Sequence, residues 1–249
     1  IMNFLLEPYS VAYLENGTVT AGYVVYAIIG VFVDTPTPMI ATQIVLIRHH
    51  KISRVRDFFK LLFNATSAKK AVLITGLFCA AALCVAVIYG TPTGAPWYLM
   101  FAAWPLMIIG GGVEEIGWRG FLQPALEKRL PFPIATILVG IIVYVWHLPL
   151  WFLPSSNHYG DSLIGFATMI FVWAFVGEAI YTSTKSVFAC VVYHAFLNTI
   201  GSVYDWNALF DRFPNTIGMY VYFAVTLVVA ILVWIIADKK QNKGITAPL

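Results

Sequence analysis

Apolar residues fall in long runs along this chain, broken by short polar or charged stretches. The runs at 71–89, 97–126, 132–153, 163–181, 187–204 and 217–237 approach or exceed the ~18 residues that a helix needs to cross a bilayer. Ahead of them lie two shorter apolar stretches, 20–33 and 39–47, separated by Asp34-Thr35-Pro36-Thr37-Pro38. Prolines this close mark a turn or a kink, so these stretches read as two short spans or as one long kinked helix. Residues 1–18 contain Glu7 and Glu15 but no Lys or Arg, and so lack the basic start of a secretory signal. They read as an interfacial segment or a truncated first helix. The pattern predicts an all-α, polytopic membrane helix bundle of seven or eight transmembrane helices, with residues 1–249 forming a single integral membrane domain.

Composition narrows this further. Hydrophobic residues make up 60% of the chain and charged ones 11%, with a mean hydropathy of +0.80, which excludes an ordinary soluble domain. The placement of charge says more than the net +3. Lys and Arg cluster at 48–70, at Lys128 and Arg129, at Lys185, and at Lys239, Lys240 and Lys243, so thirteen of the fifteen fall on one side of the alternating runs. By the positive-inside rule that side, and with it the C-terminus, is cytoplasmic; in a prokaryote the membrane would be the plasma membrane. Arg119 lies within a run, and Arg212 on the other side. His49 and His50, inside the basic segment, read as solvated or headgroup-facing. Trp97, Trp104, Trp151 and Trp206, near run ends, read as interfacial anchors. Cys79, Cys84 and Cys190 sit in apolar runs and read as small core side chains without a disulfide framework. There is no P-loop and no G-x-G-x-x-G, and nothing in the chain is a nucleic-acid module, so no nucleic-acid partner is expected.

Three runs carry polar groups that are expensive in a membrane. Glu114, Glu115 and Arg119 fall within six residues, at about 2.5–3.5 kcal/mol per charge on insertion scales. Glu115 and Arg119 are four apart and can pair on one helix face, while Glu114 points about 100° away. His147 lies in the fifth span, and His194 and Asn198, again four apart, lie in the seventh. Each alone has a plain reading as an interhelical hydrogen-bonding group. Together, on three spans of a small bundle, they outline a functional cavity. Straight helices would hold Glu114 and His147 at different depths. The site therefore needs Gly110, Gly111 and Gly112 to bend the fourth span, or the fifth to start below the membrane plane near Pro131 and Pro133. Glu178, in the sixth span near Lys185, reads either as a snorkelling carboxylate or as a substrate contact at the cytoplasmic mouth of the cavity.

Glu114-Glu115-Ile116-Gly117-Trp118-Arg119, Val143-Tyr144-Val145-Trp146-His147 and His194-Ala195-Phe196-Leu197-Asn198 resemble the three signatures of the CAAX protease and bacteriocin-processing, or abortive-infection-like, family: E-E-x-x-x-R, F-x-x-x-H and H-x-x-x-N. The order and the spans agree. Val143 departs from the family's Phe at a packing position. The resemblance covers about residues 70–205 and implies an intramembrane endopeptidase acting on a membrane-embedded protein or peptide, prenylated in some members. It implies that Glu114 and His147 activate water, that His194 and Asn198 stabilise the oxyanion, and that Glu115 and Arg119 support them.

No cofactor is expected from this reading. Zinc held by Glu114, His147 and His194 is the chemical alternative, although the H-E-x-x-H helix of zincins is missing. A non-catalytic bacteriocin-immunity or transport protein, with Glu114 as a proton carrier, is the alternative from another functional class. Seryl and aspartyl intramembrane chemistry find no support, and Tyr204-Asp205 reads as a span end.

Overall fold

A computed structural model describes residues 2–156, 158–205 and 217–244; Trp206 and Arg212 lie outside the described residues. The chain is mostly helical. Side chains such as Val72, Leu106 and Ile164 are 70–79% exposed on its outer surface. Apolar groups turned outward on this scale fit a lipid surround rather than water. Among the described residues, three helices are long and apolar enough to cross a membrane, or up to five if each of two bent pairs forms one span.

The first pair is α1 (Met2–Asn16) and α2 (Ala21–Ile29), which continues through a π-type turn at Gly30–Asp34. The two meet at 113° around Gly17, at φ +70°, with the Thr20 hydroxyl accepting from the Tyr23 N–H. The stretch read as interfacial is thus one arm of a helical hairpin. After Thr35 and Pro36, α3 (Thr37–Arg48) starts with Pro38 in its first turn, where a missing N–H costs nothing. Helix α4 (Val55–Phe63) follows, its start fixed by Asp57, which accepts from the Arg54 N–H.

Three helices are capped by serines, whose hydroxyls satisfy otherwise unpaired N–H groups. Ser67 caps α5 (Ala68–Tyr89), Ser162 caps α10 (Leu163–Thr184) and Ser186 caps α11 (Val187–Gly201). Lys185, at φ +53°, ends α10 and lets α11 turn straight back. Of the three candidate spans, α5, α9 (Phe132–His147, continued to Phe152) and α10, the last is the most buried, and it packs on α5, α9 and α12 (Ile217–Gly244). Phe78, Val139, Val176, Ile180 and Phe196 sit in the core between them.

The fourth run, 97–126, is a broken helix. It comprises α6 (Leu99–Met107), a π-type turn at Ile108–Gly112, α7 (Glu114–Gly117), a second π-type turn at Trp118–Leu122, and α8 (Gln123–Glu127). The bend between its halves is 41°, and it falls on the glycines: Gly110 has ψ 27° and Gly111 has φ 156°.

Several smaller expectations are corrected. Cys79 and Cys190 are buried, but Cys84 is exposed on the apolar surface. Trp97 is 69% exposed, as an interfacial anchor would be, whereas Trp104 and Trp151 turn inward and donate to the Val192 and Asp161 carbonyls. Tyr204-Asp205 is a two-residue strand, β2, paired antiparallel with β1 (Thr91–Pro92), not the end of a helix. This ribbon ties the end of α5 to the end of α11.

Candidate active site

A chamber of about 870 Å³ lies between α6, α7, α9, α10 and α11. Glu114, Glu115, Arg119, His147, His194 and Asn198 all line it. The helix bends at the three glycines, and the carboxylates that follow the bend line the same chamber as His147.

Glu115 is the fixed point. Both of its oxygens accept from Arg119 Nη1, at 3.0 and 2.8 Å, and Oε1 also accepts from His194 Nδ1 at 2.9 Å. Arg119 Nη2 donates to the Ala174 carbonyl at 3.0 Å. All of this is buried, with Glu115 at 5% and Arg119 at 4% exposure. A buried ion pair costs least when its remaining hydrogen-bonding groups also find partners; α10 and α11 supply them for Arg119 Nη2 and Glu115 Oε1, while Arg119 Nε has none among the described residues. Gly177 leaves room for the guanidinium, since a Cβ there would lie 2.9 Å from Arg119 Cζ.

Proton positions follow from these partners. A carbonyl only accepts, so His147 donates from Nδ1 to the Val143 oxygen at 2.7 Å. In the neutral ring this leaves Nε2 as an acceptor. His194 likewise commits its Nδ1–H to Glu115, and offers a second N–H from Nε2 only when the ring carries both protons. Glu114 is buried and accepts from the Trp118 indole at 3.4 Å. Gly111 packs against the third motif: a Cβ at this position would lie 2.2 Å from Asn198 Nδ2 and 3.6 Å from His194 Nε2. The site thus combines carboxylate and imidazole acceptors with amide and imidazole donors, which is the equipment for adding water to a carbonyl.

As for a metal, no three His, Cys, Asp or Glu side chains among the described residues converge as its ligands would. His194 commits Nδ1 to a carboxylate, which leaves Nε2 as its free ring nitrogen.

Two placements differ from the sequence reading. Glu178 does not line the chamber; it is fully buried and accepts from the Thr182 hydroxyl, with Oε2 unpartnered among the described residues. The chamber also extends away from the basic loops: toward Thr93, His158, Asp161, Ser202 and Asp205. Sequence reasoning missed His158 and Asp161. His158 Nδ1 lies 3.2 Å from Asp161 Oδ2, and its ring stacks on Trp151 at 4.9 Å and stands edge-on to His147 at 6.4 Å. Burial pushes the His158 pKa down to about 4. The available signal was His-x-x-Asp in a loop that follows the His147 span.

The long apolar helices support an integral membrane protein, and similarity to known proteins indicates a protease. Residues 95–200 match the model of the family described as type II CAAX prenyl endopeptidase Rce1-like. CAAX prenyl protease 2 of Methanococcus maripaludis is 24% identical over 185 residues, covering 65% of this chain and 67% of that protein. Both similarities point to the CAAX proteases.

Proposed function

We propose that this protein hydrolyses a peptide bond of a membrane-associated protein or peptide inside the chamber, with Glu114 and His147 activating water and His194 and Asn198 stabilising the oxyanion. The observation that carries this reading is that all three motifs line one chamber. The Glu114 carboxylate or His147 Nε2 takes a proton from water as its oxygen attacks the scissile carbonyl carbon. The oxyanion then accepts from Asn198 Nδ2–H and from His194 Nε2–H. Collapse breaks the C–N bond, and the proton held by the acid–base pair passes to the leaving amine. Glu115 and Arg119 act through His194, by fixing its ring. The bundle is read as a single membrane domain of seven or eight spans with the basic end cytoplasmic, an orientation that its charge distribution supports. Mass spectrometry of membrane-anchored peptides incubated with the reconstituted protein tests this reading. Cleavage at a defined bond that is lost in His147→Ala supports it; cleavage unchanged in that variant refutes it.

A further inference from the structure

The bundle has two polar ends of opposite character. At one end, the Thr66 N–H and hydroxyl donate to the Thr184 carbonyl at 2.8 and 3.0 Å. The rings of Phe63 and Phe188 lie 5.0 Å apart, and Phe132 stacks on Trp234 at 3.6 Å. These contacts gather the ends of α4, α8, α10 and α12 with the starts of α5, α9 and α11. Arg48 to Lys70, Lys128, Arg129, Lys185 and the last lysines of α12 belong to these segments. At the other end, the β1–β2 ribbon joins α5 to α11, Thr93 donates to the Ser202 carbonyl at 3.0 Å, and Glu7 accepts from the Ser155 N–H at 2.7 Å. Among the described residues this end carries carboxylates, including Glu7, Asp161 and Asp205, and no Lys or Arg.

The chamber is asymmetric between these ends. Toward the basic end it is floored by Glu115, Arg119 and Gly177, all buried, and behind them Ile116, Val187 and Val191 form a closed apolar cluster. Toward the acidic end its lining reaches Thr93 and Asp205, which are exposed, past His158 and Asp161. A charged group at membrane depth is tolerated where it lines a cavity, and of the two polar ends it is the acidic one that the lining of this cavity reaches.

We infer that the chamber is entered from the extracytoplasmic face of the membrane and that its substrates are membrane-anchored peptides exposed on that face. The class of substrate rests on the protease reading; the direction of entry does not. Basic segments are retained on the cytoplasmic side because translocating them is unfavourable, and thirteen of fifteen Lys and Arg at one end is a strong bias. The mouth therefore faces outward. The sequence reading had joined a cytoplasmic basic end to a cytoplasmic mouth, and the two are incompatible in this fold. An outward mouth selects peptides that have been exported or that are anchored in the outer leaflet.

The test uses full-length protein in intact cells, with single cysteines introduced by Thr93→Cys or Asp205→Cys at the acidic end and Lys60→Cys or Lys128→Cys at the basic end. A membrane-impermeant maleimide is applied before or after permeabilisation, and labelling is read peptide by peptide by mass spectrometry, so the native cysteines need no replacement. In intact cells the acidic-end cysteines should label about tenfold more than the basic-end ones, which should catch up after permeabilisation. Basic-end labelling in intact cells, or acidic-end labelling only after permeabilisation, overturns the inference. A protein that labels as expected and cleaves no peptide would leave the orientation standing and remove the protease reading.

Discussion

Glu115 shows how one residue sets up a site it need not react in. It has two hydrogen-bonding side-chain neighbours, and only the helical one, Arg119 at i+4, was legible from spacing. The partner on α11, His194, was not legible, because the contact depends on how α7 and α11 pack. Removing one member of a buried ion pair typically costs about 3–5 kcal/mol, because the other stays buried and uncompensated. Arg119→Ala should therefore lower the melting temperature in detergent well beyond the effect of a lipid-facing change such as Val72→Ala. An equal effect of the two would mean that the pair contributes nothing to the fold. His158 was illegible because a loop carries no periodicity to mark its face. Its pKa, about 4 in the fold against 6.5 as the ordinary value, has a definite consequence for stability. The unfolded chain takes up the proton first as pH falls through 6.5, so the stability present above that pH is lost progressively toward pH 4. Asp161 and His147 face the same ring and stay in place in the test variant. His158→Gln should flatten the acid limb of the melting curve between pH 6.5 and 4; an unchanged slope would show that the ring does not titrate this way.

The broken fourth helix decides whether the carboxylates reach the chamber. Its three glycines could be read as a bend, since an unbent helix would have separated Glu114 from His147. The tight fit was not legible, because it depends on what α11 presents. Gly111 has a positive φ and Asn198 against its Cα, so Gly111→Ala should abolish cleavage while circular dichroism reports unchanged helix content. Full activity in that variant would show that Asn198 is not needed where it stands. At Gly117 a Cβ would meet the Pro38 carbonyl carbon and oxygen at 2.8 Å. Gly117→Ala should therefore push α3 away from α7 and lower stability, with activity falling as a consequence; an unshifted melting temperature would rule out that close approach. The α1–α2 hairpin was legible only as two polar interruptions, because composition does not report the angle at a break.

For the molecule as a whole, the sequence revealed class, charge asymmetry and the motif set, since each depends on residue type and spacing. It did not reveal which way the chamber leads, which depends on how nonlocal helix ends are gathered. Nor did it separate the buried carboxylates by role. Glu114 lines the chamber, whereas Glu178 is sealed in α10 beside Thr182. The most direct measurement of the central claim compares these two carboxylates on one peptide substrate, with wild-type protein alongside. Glu114→Gln removes the acceptor for the water proton and should lower turnover by about 10²-fold or more, the range typical of a general base. Glu178→Gln should keep turnover near the wild-type value once the fraction of folded protein is matched. Near-wild-type turnover in Glu114→Gln, or a collapse in folded Glu178→Gln to the level expected for Glu114→Gln, would contradict the assignment of the chemistry to this chamber.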